Sequence, residues 1–312
     1  MKSEFVFKEA PFDRCHASTI AETRKGRLVA AWFGGNREGA ENVGIWLSRK
    51  DRGGKWTPPE EVAREPDVPA WNPVLHQLRK GPLLLFYKIG RSVSDWTGFL
   101  MRSRDGGETW SEPEQLPAGI LGPVKNKPLE LKDGTLICGT SHESYHAWGG
   151  WVDITRDQGK TWTRHGPINV PGQLYGLIQP AIFRVRGKHL RMIARTRHLD
   201  GLAMADSRDR GRTWSDARLI DLPSNNSGLD AVRLKDKRVV MAYNPTKDPR
   251  TPLALIVSAD RGKTWRDGCV LEKARGEYSY PGIIQTKDGM VHVIYTWKRQ
   301  RIKHAVVDPQ EL

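Results

Sequence analysis

The chain is poor in cysteine. Cys15, Cys138 and Cys269 are its three, far apart and with no Cys-x-x-Cys pair. That pattern argues against a disulfide framework and suits a reduced compartment. Long apolar runs are also missing. No stretch approaches the roughly 18 residues of a spanning helix, so no membrane partner is expected. Mean hydropathy is −0.58, as in a soluble protein with much surface. The opening, "MKSEFVFKEAPFDRC", has no apolar signal-peptide core and points to the cytoplasm; trimming of a leader before secretion would remove that argument. There is no long stretch of helical period. The nine histidines show no metalloprotease-type or Cys/His spacing, so no metal is expected. No glycine-rich nucleotide motif follows a strand, and no cofactor is expected.

Basic charge, by contrast, is in excess. The net charge of +14 suggests an acidic partner. Much of it lies in one recurring phrase: "SRDGGETW" at 103–110, "TRDQGKTW" at 155–162, "SRDRGRTW" at 207–214 and "SADRGKTW" at 258–265, with a looser "SRKDRGGKW" at 48–56. These stretches hold twelve Lys/Arg against six acids, which reads as solvated turn faces. A nucleic-acid stripe would also need a recognition helix or a stacking motif, and neither is present, so no nucleic-acid partner is expected. No pattern specifies an oligomeric state.

The phrases end on Trp56, Trp110, Trp162, Trp214 and Trp265, spaced 54, 52, 52 and 51 residues apart. A period of that size signals a propeller or a solenoid. Between the phrases lie short alternating or β-branched runs such as "LVAAWF" 28–33, "PLLLFYKI" 82–89 and "VHVIYTW" 291–297, which are strand signals. Four short strands per unit make a propeller blade. The expected fold is all-β: one domain over 1–312, a six-bladed propeller of four-stranded antiparallel blades. Residues 4–9, "EFVFKE", are expected to complete blade six and close the ring, removing open sheet edges.

Within S-x-D-x-G-x-x-W, an Asp can accept backbone N–H bonds and fix a tight turn. The Gly supplies a positive φ, and the Trp buries an apolar body. In this form and spacing the phrase resembles the Asp box of the sialidase (neuraminidase) superfamily, across essentially the whole chain. The resemblance implies a six-bladed propeller and a glycan-directed activity.

The inner strands are expected at 15–26, 71–81, 125–134, 178–187, 229–237 and 278–289. They open on polar or aromatic side chains: His16, Asn72, Asn126, Gln179, Asp230, Tyr278 and Tyr280. Together these would form a polar ring at one channel mouth. Sialidases bind a substrate carboxylate with three arginines and use an acid/base Asp and a Tyr nucleophile assisted by a Glu. The resemblance carries two arginines onto Arg195 (alternate Arg197) and Arg250. The acid falls on Glu38, with Glu41 as the weaker alternative. The nucleophile falls on Tyr278 or on Tyr280, two residues on and so on the same strand face. Where the family has its first arginine stands His16, and where it has its Glu stands Gln179. A neutral amide cannot activate a phenol as a carboxylate does.

Three readings follow. The first is a sialidase-like, exo-acting glycoside hydrolase for a terminal acidic sugar, with an acidic oligosaccharide or polysaccharide as substrate. Its arginines would grip a carboxylate bidentately. The second is a uronic-acid glycan lyase or atypical glycosidase in which His16, with His76 and His142 nearby, works with a Tyr. The third is a binding propeller without catalysis. Among the tryptophans outside the phrases, Trp71, Trp96 and Trp148 are candidate sugar platforms. Trp32, Trp46 and Trp297 read as core.

Overall fold

A computed structural model describes residues 1–312, nearly all of them in strands and tight turns. Strand β1 is Lys2–Phe5. Blade one follows as β2 Arg14–Glu22, β3 Leu28–Gly35, β4 Gly44–Lys50 and β5 Glu60–Ala63. Blade two is β6 Ala70–Gln77, β7 Leu83–Ile89, β8 Thr97–Ser103 and β9 Glu114–Gln115. Blade three is β10 Leu129–Glu130, β11 Leu136–Glu143, β12 Trp148–Thr155 and β13 Thr163–Ile168. Blade four is β14 Leu177–Arg186, β15 His189–Thr196, β16 Leu202–Ser207 and β17 Arg218–Ile220. Blade five is β18 Asp230–Arg233, β19 Val239–Tyr243, β20 Leu253–Ser258 and β21 Arg266–Glu272. Blade six is β22 Tyr278–Gln285, β23 Val291–Trp297 and β24 Arg301–Val307.

Six four-stranded antiparallel sheets result, a six-bladed β-propeller. Blade six takes β1 as its outer strand, with Lys2 opposite Val306 and Phe5 opposite Lys303. The N-terminal strand therefore closes the ring as expected, but over Lys2–Phe5 rather than 4–9. Phe7, in the later part of that range, is buried beside Trp32 in the seam between blades six and one. No helix is long and apolar enough to cross a membrane.

The strands alternate so that each sheet offers an apolar face to its neighbour, and each blade-to-blade interface has its own core. Val29, Ile45, Leu83 and Leu85 fill the interface of blades one and two. Phe86, Leu100, Leu136 and Cys138 fill the next. Trp32, with no exposed surface, anchors the seam of blades six and one. Emptying such a site by truncation to Ala typically costs about 3–5 kcal/mol.

Four of the repeated turns have one hydrogen-bond pattern. In the turn at 155–162, Asp157 Oδ1 accepts from Thr155 Oγ1 at 2.9 Å and from the N–H groups of Lys160 and Thr161. Asp157 Oδ2 accepts from Thr161 Oγ1 at 2.6 Å. Asp105, Asp209 and Asp260 repeat this. The looser first copy departs from it: Asp51 instead accepts from Arg27 Nε at 2.6 Å. Each terminal Trp wedges against the interface with the preceding blade, Trp110 toward blade one and Trp214 toward blade three.

The inner strands do not run evenly. The ladder slips between His16 and Thr19, Trp71 and Val74, Ile178 and Ala181, and Ser279 and Gly282. Each slip holds one residue of positive φ: Ala17, Asn72, Gln179 and Tyr280. Such a bulge turns a side chain away from the alternation of its strand. Here it breaks the in–out pattern of the inner strands at Ala17, Asn72, Gln179 and Tyr280.

Candidate functional site

At the level of these bulges the channel has a floor. Gln179 and Tyr280 meet there, and Lys125 and Gly228 come in from blades three and five. A Cβ on Gly228 would lie 3.2 Å from both Lys125 Cε and Tyr280 Cδ2, so any larger residue would press on the tyrosine ring. Lys125 is buried and donates to the carbonyls of Leu229, at 2.9 Å, and Pro281. Burial pulls its pKa down to about 7, against the opposing pull of Asp230.

Tyr280 is the centre of the cluster. Its hydroxyl accepts from Arg195 Nη2 at 2.9 Å and from Gln179 Nε2 at 3.4 Å. The guanidinium carbon of Arg250 lies 5.8 Å from its ring. The His16 ring packs on it at 4.1 Å between centroids. His16 Nδ1 is 3.0 Å from Thr296 Oγ1, while Nε2 is buried with no partner. Burial pushes the His16 pKa well below its usual value, and Arg299, Arg250, Arg195 and Lys125 push it the same way. The imidazole is neutral at neutral pH, and the same burial and charges oppose its protonation.

Arginines ring this core. Arg195 Nη1 donates to Asn226 O at 2.6 Å, and its Nε is buried without a partner. Arg250 donates to Glu277 at 3.0 Å, and Arg299 reaches the same Glu277 oxygen at 2.7 Å. Arg299 also pairs with Glu38. Burial works against ionisation of Glu277, but Arg299 and Arg250 outweigh it and hold the carboxyl below its ordinary range. Arg197 is sandwiched between Trp148 at 5.2 Å and Tyr175 at 5.1 Å. Arg195, Arg197, Arg250, Arg299 and Lys125 thus face the acids Glu38, Glu143 and Glu277. The balance leaves the mouth net positive.

The structure brings together His16, Gln179, Arg195, Arg250 and Tyr280, with Arg197 and Glu38 at the rim. Asn72 frames the floor by donating from Nδ2 to Val124 O at 3.1 Å. Four other expected residues lie elsewhere. Tyr278 is in the core between blades five and six with Trp297, because the bulge at Tyr280 breaks the period of two that would put both tyrosines on one face. His142 faces away from the channel, its Nε2 2.6 Å from Arg164 Nη1. His76 sits at the far end of its strand, 3.3 Å from Glu130. Asp230 plugs the channel interior, accepting from Lys127 Nζ at 2.8 Å and from Ile283 N at 2.9 Å. Of the three tryptophans expected as platforms, Trp148 touches the cluster, at 5.8 Å from Arg195, whereas Trp71 is buried against Trp96.

Sequence reading missed Lys125, Glu143 and Arg299. Arg299 lies in a turn, "WKRQR", with no motif around it. Glu143 could have been found by alternation from Ser141, whose Oγ accepts from Gln179 N at 3.1 Å. No group of three His, Cys, Asp or Glu side chains is gathered to hold a metal ion.

Fold and repeated turns together define a six-bladed propeller of the sialidase/BNR superfamily. The chain belongs to the family of the BNR repeat-like domain, whose model matches residues 26–293. It is similar to a sialidase of Bacteroides fragilis (strain YCH46), 25% identical over 185 residues, or 53% of this chain. It covers 33% of that relative, about a third of its length. Among solved structures it is similar to a protein of unknown function from Dyadobacter fermentans DSM 18053, at 19% identity and a TM-score of 0.81, covering 97% of each chain. It is also similar to the Hadza microbial sialidase Hz136, at 18% identity and a TM-score of 0.80, covering 96% of this chain and 66% of that one.

Proposed function

We propose that the protein is a sialidase-like glycoside hydrolase that removes a terminal acidic sugar from a glycan. One observation carries this reading: Arg195 donates to the Tyr280 hydroxyl on the floor of a cationic mouth. A carboxylate-bearing sugar entering there meets a guanidinium whose planar donors suit it. In the reaction, the Tyr280 oxygen, held by Arg195 and Gln179, bonds to the anomeric carbon as its proton passes to water in the mouth. The glycosidic bond breaks with its electron pair on the leaving oxygen. Gln179 acts as a hydrogen-bond donor to Tyr280 and takes no proton.

His16 also favours a second reading. On a uronate glycan, the same imidazole could remove the proton beside the carboxylate, with Tyr280 protonating the departing oxygen. The products separate the two: hydrolysis adds water, whereas elimination leaves an unsaturated uronate with its own ultraviolet absorbance. The test is to incubate the protein with sialosides and uronosides and follow both signals. Release of a hydrated acidic sugar, lost in Arg195→Met, is the expected result. An unsaturated product favours the lyase, and binding without turnover overturns both.

A further inference from the structure

We propose that Glu143, at the end of β11, is the acid that protonates the departing glycosidic oxygen. This deepens the hydrolase reading and rests on it. The residue expected in that role from sequence, Glu38, is committed elsewhere: it forms an ion pair with Arg299, whose Nε is also 2.7 Å from Glu277. Glu277 in turn is gripped by Arg250 and Arg299 and takes a bond from Ser279 Oγ at 3.0 Å. Glu277 is held as a carboxylate, and Glu38 is taken up by its ion pair with Arg299. Of the three acids at the mouth, Glu143 is the one with no hydrogen bond or ion pair.

Its direction follows from the strand. Ser141 faces blade four and accepts from Gln179 N. Side chains alternate along β11, so Glu143 faces the same way, one step nearer the mouth, while His142 turns toward Arg164 and Trp151. The charges that bear on Glu143 are Arg195 and Arg197 from blade four and Glu38 from the loop after β3. Burial raises its pKa above the ordinary range. Glu38 adds to that rise, and Arg195 and Arg197 oppose it. A carboxyl with no bonded partner, set beside Arg195 and Arg197, is placed to give a proton to a leaving oxygen.

The step balances. The Glu143 O–H proton passes to the glycosidic oxygen as the bond to the anomeric carbon breaks and its electron pair stays on that oxygen. Glu143, now a carboxylate, takes a proton from the water that attacks the anomeric carbon. As that water bonds, the bond from the carbon to Tyr280 breaks, its pair returns to the phenol oxygen, and the phenol takes a proton back from water.

The experiment compares two glycosides of the acidic sugar that the wild-type protein cleaves: an activated nitrophenyl glycoside, which leaves without protonation, and an alkyl glycoside, which does not. Glu143→Gln should lower kcat/KM on the alkyl glycoside by about 10²- to 10⁴-fold and on the nitrophenyl glycoside by less than about tenfold. It should also flatten the alkaline limb of the pH–rate profile. Glu143→Asp, which keeps a proton, should recover part of the alkyl activity and serves if Glu143→Gln folds poorly. Equal losses on both substrates, no loss on either, or the leaving-group dependence appearing in Glu38→Gln instead, overturns the role of Glu143 and leaves the hydrolase standing. Failure of the wild-type protein to cleave either glycoside overturns both.

Discussion

The two faces of the propeller use the same kinds of side chain to opposite ends. On one face, the four regular turns bond each aspartate to its own turn. Burial works against ionisation of Asp157, yet the bonds from Thr161, Thr155 and Lys160 hold its pKa at about 2. Asp260 is held at about 2 in the same way, and the bond from Thr109 leads those that pull Asp105 down. On the other face, buried polar atoms have no partner: His16 Nε2, Gln179 Oε1, Arg195 Nε, Asn244 Oδ1 and Ser227 Oγ. Folded chains rarely leave such groups unbonded, and where they do, a ligand or ordered water often completes them. The turn face adds the indole N–H groups of Trp56, Trp110 and Trp265 and the Nε of Arg233. Saturated bonding marks the face that holds each blade together. Open bonding marks the face that carries the candidate site.

Three substitutions or titrations break or sharpen that contrast. The largest effect is expected at the mouth. Tyr280→Phe removes one hydroxyl, with its bonds to Arg195 and Gln179, and should lower kcat/KM by at least about 10²-fold with little change in Tm. Tyr278→Phe, in the core, should change kcat/KM by less than about threefold. Steady-state kinetics on the cleaved glycoside decides; the reverse ranking would move the site to Tyr278. An intermediate effect is expected at the turn face. Asp157→Ala should cost about 1–3 kcal/mol in urea unfolding, because it strips acceptors from two N–H groups and two hydroxyls. Activity per folded molecule should be unchanged, and a matching loss of kcat would mean that the faces are coupled.

The most gradual effect lies at the seam where β1 closes the ring. His292 Nδ1 is 2.9 Å from His304 Nε2, and burial lowers the His292 pKa to about 4, with the His304 charge acting the same way. A histidine depressed in the folded state binds its proton more readily when unfolded. Its contribution to stability is therefore present above about 6.5 and lost as pH falls toward about 4. The slope is at most about 1.4 kcal/mol per pH unit for one proton. Tm should decline across that window, and His292→Gln should flatten the decline. An unchanged slope in the variant would place the acid sensitivity elsewhere, with His16 the next to test.

Much of the fold was readable before any coordinates. Turn residues at a period near 52 counted the blades, since each phrase needs only its own neighbours to close. The site was readable in part. Arg195, Arg250 and Gln179 could be placed by resemblance, because they lie at fixed offsets within blades. The choice between Tyr278 and Tyr280 could not, because alternation assumes an unbroken strand and the bulge at Tyr280 breaks it. Arg299 was invisible for another reason: it enters from a turn of blade six to meet Glu38 of blade one, 261 residues away in the chain.

The amino-acid order thus fixes what is local. It sets which residues bond within a turn, which strand faces are apolar, and how many units the chain is divided into. The meeting of His16, Glu143, Arg195, Arg250, Tyr280 and Arg299 is not local. It depends on where register slips aim side chains and on which loops overhang the axis once the ring has closed. No hydrogen bond or period within a single blade encodes that convergence, so it exists only in the assembled propeller.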